Sequence, residues 1–70
     1  MKNLISFSLN GQIYYTNKMI NLFELINYFQ YKDSLLVLEY NKLICNKKNW
    51  IKINIRNHDK IEIVTIVGGG

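Results

Sequence analysis

The order of hydropathy patterns along the chain predicts an α+β domain, a mixed sheet of four to five strands with one main helix packed on one face. Three observations carry this expectation. Asn10-Gly11 separates two β-prone runs. One amphipathic segment with helix-start chemistry follows at Asn21. Beyond it, β-branched and apolar runs alternate with short polar turns up to Lys60-Ile61-Glu62-Ile63-Val64-Thr65-Ile66-Val67. A hairpin, a single helix and then more strands place the helix on one side of a sheet.

Leu4-Ile5-Ser6-Phe7-Ser8-Leu9 and Gln12-Ile13-Tyr14-Tyr15 read as the two strands of the hairpin. Asn-Gly between such runs is the strongest short hairpin signal, because both central positions of a type I′ turn need φ > 0. Asn21 is placed to cap the first free N–H groups of a helix, and Glu24 stands at the reciprocal capping-box position. Ile20 and Leu25 occupy the hydrophobic-staple positions. Leu22, Leu25, Ile26 and Phe29 recur on one helical face, so the helix is expected from about Leu22 to Tyr31, with Lys32-Asp33-Ser34 as the break.

The continuous apolar run Leu35–Tyr40 is expected as a central strand, Asn41-Lys42 as a turn, and Leu43-Ile44-Cys45 as a short strand. Asn46–Trp50 reads as a turn or a single 3₁₀ turn pinned by Trp50. Ile51–Ile55 alternates briefly and reads as another short strand, Arg56–Asp59 as a loop, and Lys60–Val67 as the last strand. In that strand Ile61, Ile63, Thr65 and Val67 share one face, and Glu62, Val64 and Ile66 share the other. Leu25, Ile26, Phe29, Val37, Ile61 and Ile63 are expected to be buried together. Val64 and Ile66 are expected on the open sheet face, an apolar patch suited to docking a partner.

Seventy residues with 49% hydrophobic content suffice for one small core but leave no room for a deep catalytic cleft. No apolar run is long enough to span a bilayer, and Met1-Lys2-Asn3-Leu4 has no signal-peptide character. The single cysteine, Cys45, excludes an internal disulfide and fits a reducing compartment. Asn, Lys and Ile are abundant, Pro and Ala are missing, and Arg56 is the only arginine. These are the residue choices of an AT-biased genome, so a cytoplasmic location, or the plastid stroma if the gene is organellar, is expected. The net charge of +4 is nearly all scattered Lys with no arginine fork for phosphate, so no nucleic-acid partner is expected.

Three of the four glycines close the sequence as Gly68-Gly69-Gly70. Without side chains they tolerate unusual φ/ψ, and such a segment fits a narrow channel in a partner enzyme. The chain is therefore expected to divide into a folded domain, 1–67, and a flexible tail, 68–70. The tail presents the Gly70 α-carboxylate as the group to be modified, with Gly68 and Gly69 in the partner's channel.

These residues carry a family resemblance that spans the whole chain. Leu9-Asn10-Gly11, Leu38-Glu39-Tyr40-Asn41-Lys42-Leu43-Ile44, Trp50 and above all Asp59-Lys60-Ile61-Glu62-Ile63-Val64 leading to Val67-Gly68-Gly69-Gly70 resemble the β-grasp (ubiquitin-like) sulfur carriers of thiamine biosynthesis, the ThiS family. The family's usual Gly-Asp before the last strand is here His58-Asp59, so His58 is expected to take a glycine-like backbone, αL included, at some cost. The resemblance implies that a ThiF-type adenylyltransferase activates Gly70 with ATP and Mg²⁺, both bound by the partner and no cofactor by this chain. A persulfide donor then supplies sulfur to give a Gly70 thiocarboxylate, and a ThiG-type thiazole synthase uses that sulfur. It implies a protein cosubstrate rather than an enzyme, with no catalytic or metal-binding residues and a monomeric free form. The molybdopterin-synthase small subunit, which shares the fold and often has Pro before its tail, and a ubiquitin-like protein modifier are the alternatives; a small RNA-binding module is a more remote one.

The remaining notable side chains have simpler readings. Cys45 is expected as a small, partly buried hydrophobe, His58 as a solvated turn residue, and Trp50 as a cover over the sheet edge. Tyr14, Tyr15, Tyr28, Tyr31 and Tyr40 are expected around the rim of the core.

Overall fold

The computed structural model describes residues 4–31 and 35–66. The break at Lys32-Asp33-Ser34, Val67 and the Gly68-Gly69-Gly70 segment therefore lie outside the described residues.

The hairpin forms as its turn chemistry dictates. β1 (Ile5–Leu9) pairs antiparallel with β2 (Gln12–Thr16), Leu9 facing Gln12. Asn10 and Gly11 both take positive φ, 51° and 84°. A Cβ on Gly11 would meet nothing within 4 Å, so backbone conformation rather than space calls for glycine there. Asn10 also ties the hairpin to the rest of the sheet. Its N–H donates to the Ile61 carbonyl at 2.9 Å, and its Oδ1 accepts from the Ile63 N–H at 2.7 Å.

α1 runs Leu22–Tyr28, with the full capping box at its start. Asn21 Oδ1 accepts from the Glu24 N–H at 2.8 Å, and Glu24 Oε1 accepts from the Asn21 N–H at 2.9 Å. The helix stops earlier than the Tyr31 end expected from its periodicity. Phe29 is the C-cap and Gln30 turns to φ 61°. The Tyr31 N–H then reaches Ile26 O and the Gln30 N–H reaches Asn27 O, both at 3.1 Å. This pair of bonds is a Schellman ending. It is built on Gln where glycine is usual, which hid it in the sequence.

β3 (Leu36–Tyr40), β4 (Leu43–Cys45) and β5 (Asp59–Thr65) complete a five-stranded sheet of order β2-β1-β5-β3-β4. β5 is parallel to β1 and antiparallel to β3, which makes the sheet mixed as expected. The central strand is β5, not the 35–40 run, which lies one place in from the edge. The Asn41-Lys42 turn takes φ 52° and 74°, again without a glycine at the second position. A 3₁₀ helix, Lys47–Lys52, follows β4, and Trp50 within it is 2% exposed with its Nε1 donating to Cys45 O at 3.0 Å. That polar anchor lets a large indole be fully covered.

The Ile51–Ile55 strand does not form. Ile51 and Lys52 belong to the 3₁₀ helix, and only Asn54 makes an isolated bridge, to Asn21. The segment instead clamps the start of α1, with Leu22 N–H donating to Ile53 O at 3.0 Å and Ile55 N–H to Ile20 O at 2.8 Å. Its alternation reflects the burial of Ile55 and part of Ile53 against the core rather than sheet pairing.

Between sheet and helix lie Phe7, Leu9, Leu22, Leu25, Ile26, Leu38, Trp50, Ile55, Ile61 and Ile63. Leu25, Ile26, Ile61 and Ile63 are thus buried together as expected. Phe29 is only half-buried, resting on Tyr14 with ring centroids 5.2 Å apart. Val37 does not join the core. It stands opposite Val64, whereas Leu36, Leu38 and Tyr40 stand opposite Thr65, Ile63 and Ile61. A run that is apolar everywhere but at Glu39 masks the period of two that sends Val37 and Glu39 to the other face.

Candidate functional site

The sheet face away from α1 is open, and one group of its apolar residues lies toward the end of β5. Alternation along β5 turns Ile61 and Ile63 inward, so Glu62 and Val64 face outward. Val64 is 59% exposed and Ile66, just beyond the strand, is 53% exposed. Both expected docking residues are therefore accessible. The register adds neighbours that are distant in the sequence. Val37 faces Val64 across the β3–β5 ladder, and Ile44 faces Glu39 across the β3–β4 ladder at 70% exposure. Leu35 is 51% exposed, and its carbonyl accepts the Ile66 N–H at 2.6 Å, fixing Ile66 beside it. Glu39 was the available signal, since a carboxylate inside an apolar run marks the parity that faces water.

Charge borders this patch toward the start of β5. Glu62 lies opposite Glu39, and Lys60 Nζ stands 3.8 Å from Glu62 Oε2 on the same face. The arrangement offers apolar contact at the C-terminal end of the strand and polar contact farther back. It holds no nucleophile–base pair, and among the described residues no group of three metal-ligating side chains forms. Gly68, Gly69 and Gly70, the expected channel-binding and modified residues, lie outside the described residues.

A buried polar cluster sits at the opposite end of β5. Asp59 is 8% exposed, and its carboxylate accepts from Tyr40 Oη at 2.6 Å, Arg56 N–H at 2.7 Å and Asn41 Nδ2 at 3.1 Å. Asn41 Oδ1 also accepts from the Lys60 N–H at 2.8 Å. Burial first, and then the bond to Asp59, push the Tyr40 hydroxyl up to about 12. The cluster locks the entry of β5 to the β3–β4 turn. At about 3.3 Å per residue it stands roughly 20 Å from the far end of β5, too distant to act on anything there. In the sequence Asp59 stands out only as part of a motif, and its three partners leave no local signal.

Other notable side chains match their simpler readings. His58 is exposed and holds φ 71°, the αL backbone expected of a residue in a glycine place. Its N–H donates to Ser6 O at 2.6 Å, so the conformation serves to lock this turn to β1. Cys45 is half-buried, and that burial raises its thiol above the ordinary value, away from the reactive thiolate. Tyr14, Tyr31 and Tyr40 rim the core, while Tyr15 and Tyr28 project from it at 67% and 79% exposure.

With this geometry in view, the relatives are informative. The sequence model of the ThiS family matches residues 7–70. The chain belongs to the ThiS family. That match runs from β1 through the closing glycines, beyond the last described residue. The ycf40 protein of Trieres chinensis is 69% identical over 65 residues, covering 93% of this chain and 89% of that protein. The ycf40 protein of Porphyra purpurea is 32% identical over 66 residues, covering 94% of this chain and 93% of that protein. Among solved structures, the thiamine biosynthesis protein ThiS of Geobacter metallireducens superposes with a TM-score of 0.80 at 17% identity, covering 94% of this chain and all of that one. The fold is the β-grasp, and the chain is a ThiS-like sulfur carrier.

Proposed function

We propose that this ThiS-family chain carries sulfur on its Gly70 carboxylate and delivers it to thiazole formation in thiamine biosynthesis. The observation that carries the proposal is the exposed apolar patch of Val64 and Ile66, placed where β5 leads into the glycine segment. A partner seated on that patch would hold the chain just ahead, in sequence, of the residues it acts on. Supporting it, the family match includes the three glycines.

The chemistry follows from the carboxylate. Oxide is a poor leaving group, so the Gly70 carboxylate first attacks the α-phosphate of ATP, releasing pyrophosphate and forming an acyl-adenylate. The terminal sulfur of a persulfide then attacks the acyl carbon and AMP departs. A thiol cleaves the resulting acyl disulfide, leaving the thiocarboxylate and a new disulfide. ATP and Mg²⁺ are held by a ThiF-type adenylyltransferase, and a ThiG-type thiazole synthase receives the sulfur. This chain is the cosubstrate, supplying the docking face, the channel-threading Gly68 and Gly69, and Gly70 itself. The AT-leaning composition and the ycf40 relatives support the plastid as the compartment.

ATP–pyrophosphate exchange with the cognate adenylyltransferase tests the reading. Deleting Gly70 withdraws the carboxylate by about 3.5 Å, and adding one residue pushes it past the α-phosphate by as much. Displacements of that size cost on the order of 10²-fold in a positioned reaction. Both variants are expected to lose exchange while melting like the parent. Wild-type exchange by both would overturn the proposal.

A further inference from the structure

The outer side of β2 points to a second interaction surface. β2 ends the sheet on one side, and no described residue pairs with its outer edge. A two-residue turn makes Leu9 and Gln12 a hydrogen-bonded pair, and the ladder alternates from there. Tyr14 and Thr16 therefore bond to β1, while Ile13 and Tyr15 turn their N–H and C=O groups away from the sheet.

Sheets usually blunt such an edge with brevity, lysine, proline or a bulge. The opposite edge obeys this rule, since β4 has only three residues and begins directly after Lys42. β2 does not. It has five uncharged residues, Gln-Ile-Tyr-Tyr-Thr, in one-to-one register with β1. Both of its faces are apolar at the rim. Ile13 and Tyr15 are 56% and 67% exposed on the open face. On the helix side, a row of rings runs outward from Phe7 through Tyr14 and Phe29 to Tyr28, with successive centroids 5.9, 5.2 and 5.1 Å apart.

We propose that β2 is a self-association edge, on which a second copy of this chain pairs antiparallel through its own β2. The strand is its own complement. The outward backbone groups of Ile13 and Tyr15 are all used at once when Ile13 faces Tyr15 of the second copy, with the two-fold axis at Tyr14. Each Ile13–Tyr15 pair is then hydrogen-bonded in both directions. Each is also a β-branched–aromatic cross-strand pair, a favoured combination. Gln12 falls opposite Thr16, and Lys18 beyond the strand falls opposite Asn10, so no like charges meet. The two Tyr14 rings lie side by side and extend the aromatic row across the axis. In place of the monomer expected from the sequence, the free protein is a weak dimer with one continuous sheet. The Val64–Ile66 patch lies on the far side of β1, so the dimer keeps it open, and this proposal stands independently of the sulfur-carrier reading.

Sedimentation velocity and amide exchange on the full chain test it, from about 10 µM to about 1 mM, the range of weak protein contacts. The weight-average mass is expected to climb from one chain toward two. Exchange at Ile13 and Tyr15 is expected to slow about fivefold or more over the series, while Ile44 is unaffected. Ile13→Pro removes an outward N–H without touching the β1 ladder, and is expected to stay monomeric with an unchanged circular dichroism spectrum. Tyr15→Lys, which blunts the edge with charge and leaves the backbone free, is expected to do the same. A constant monomer mass up to about 1 mM overturns the proposal. So does a dimer that persists in either folded variant, or protection that rises at Ile44 in place of Ile13.

Discussion

At Asp59 three donors converge on a carboxylate that is 8% exposed, and one of them, Tyr40, shows the consequence in its own titration. Ionising Tyr40 would place a second negative charge against Asp59 and end the hydroxyl's donation. Burial, the larger effect, disfavours the phenolate as well, and together they raise the folded pKa to about 12, above the ordinary 10.0. The raised value means that the stabilisation is fully present below pH 10 and is lost as pH rises from about 10 to about 12. Tyr40→Phe is therefore expected to melt below the parent at neutral pH, and the gap is expected to close over that window. Paired melting curves across pH read this directly, and a gap independent of pH would mean that the hydroxyl is not held by Asp59. His58 offers a second test at this scale. A non-glycine residue at φ 71° is strained by roughly 1–2 kcal/mol, part of which glycine returns through its floppier unfolded chain. His58→Gly is expected to raise stability by about 0.5–1 kcal/mol in urea unfolding.

Among the elements, β5 binds the molecule together. It is the central strand, and the side chains of Asn10 and Asn41 both accept its backbone N–H groups. Ile63 sits in its inward register, 7% exposed and opposite Leu38. Ile63→Ala is expected to cost about 2–5 kcal/mol in denaturant unfolding, as a large-to-small core change. A loss below about 0.5 kcal/mol would contradict the inward register. Elements with local chemistry were legible in the sequence. Asn10-Gly11 gave the hairpin, and Asn21 with Glu24 gave the start of α1. What escaped was set by tertiary contacts or by residues standing in for glycine. Gln30 ends α1 with no glycine to announce it. Val37 lay hidden in a run where every neighbour but Glu39 is apolar. Ile51–Ile55 carries the period of a strand, yet its backbone bonds go to Ile20 and Leu22 at the foot of the helix. The exposure of Val64 and Ile66 was readable because Glu62 fixed the parity of the last strand, whereas Leu35 and Ile44 became visible only when register brought three strands together.

For the whole molecule, a small closed core leaves function to the surface. The core spends its inward positions on packing, and the Asp59 cluster spends its polar groups on a lock. On the proposed reading, recognition falls to the open face, where Val64 and Ile66 are exposed. Val64→Asp is expected to leave the fold intact, since Val64 is 59% exposed, and to weaken binding to the adenylyltransferase more than tenfold, about 1.4 kcal/mol. Calorimetric titration of the folded variant checks this, and unchanged affinity would place the interface elsewhere.

Whether Gly70 carries the sulfur is read most directly from intact mass. The full chain is incubated with its cognate adenylyltransferase, ATP, Mg²⁺, a persulfide donor and a thiol, beside a variant lacking Gly70. Replacement of one carboxylate oxygen by sulfur adds about 16 Da, a covalent change confined to the C-terminal fragment on top-down fragmentation. The full chain is expected to gain that mass and the shortened chain to stay unchanged. A full chain that gains no mass, or a gain that maps to Cys45 or survives loss of Gly70, would contradict the account.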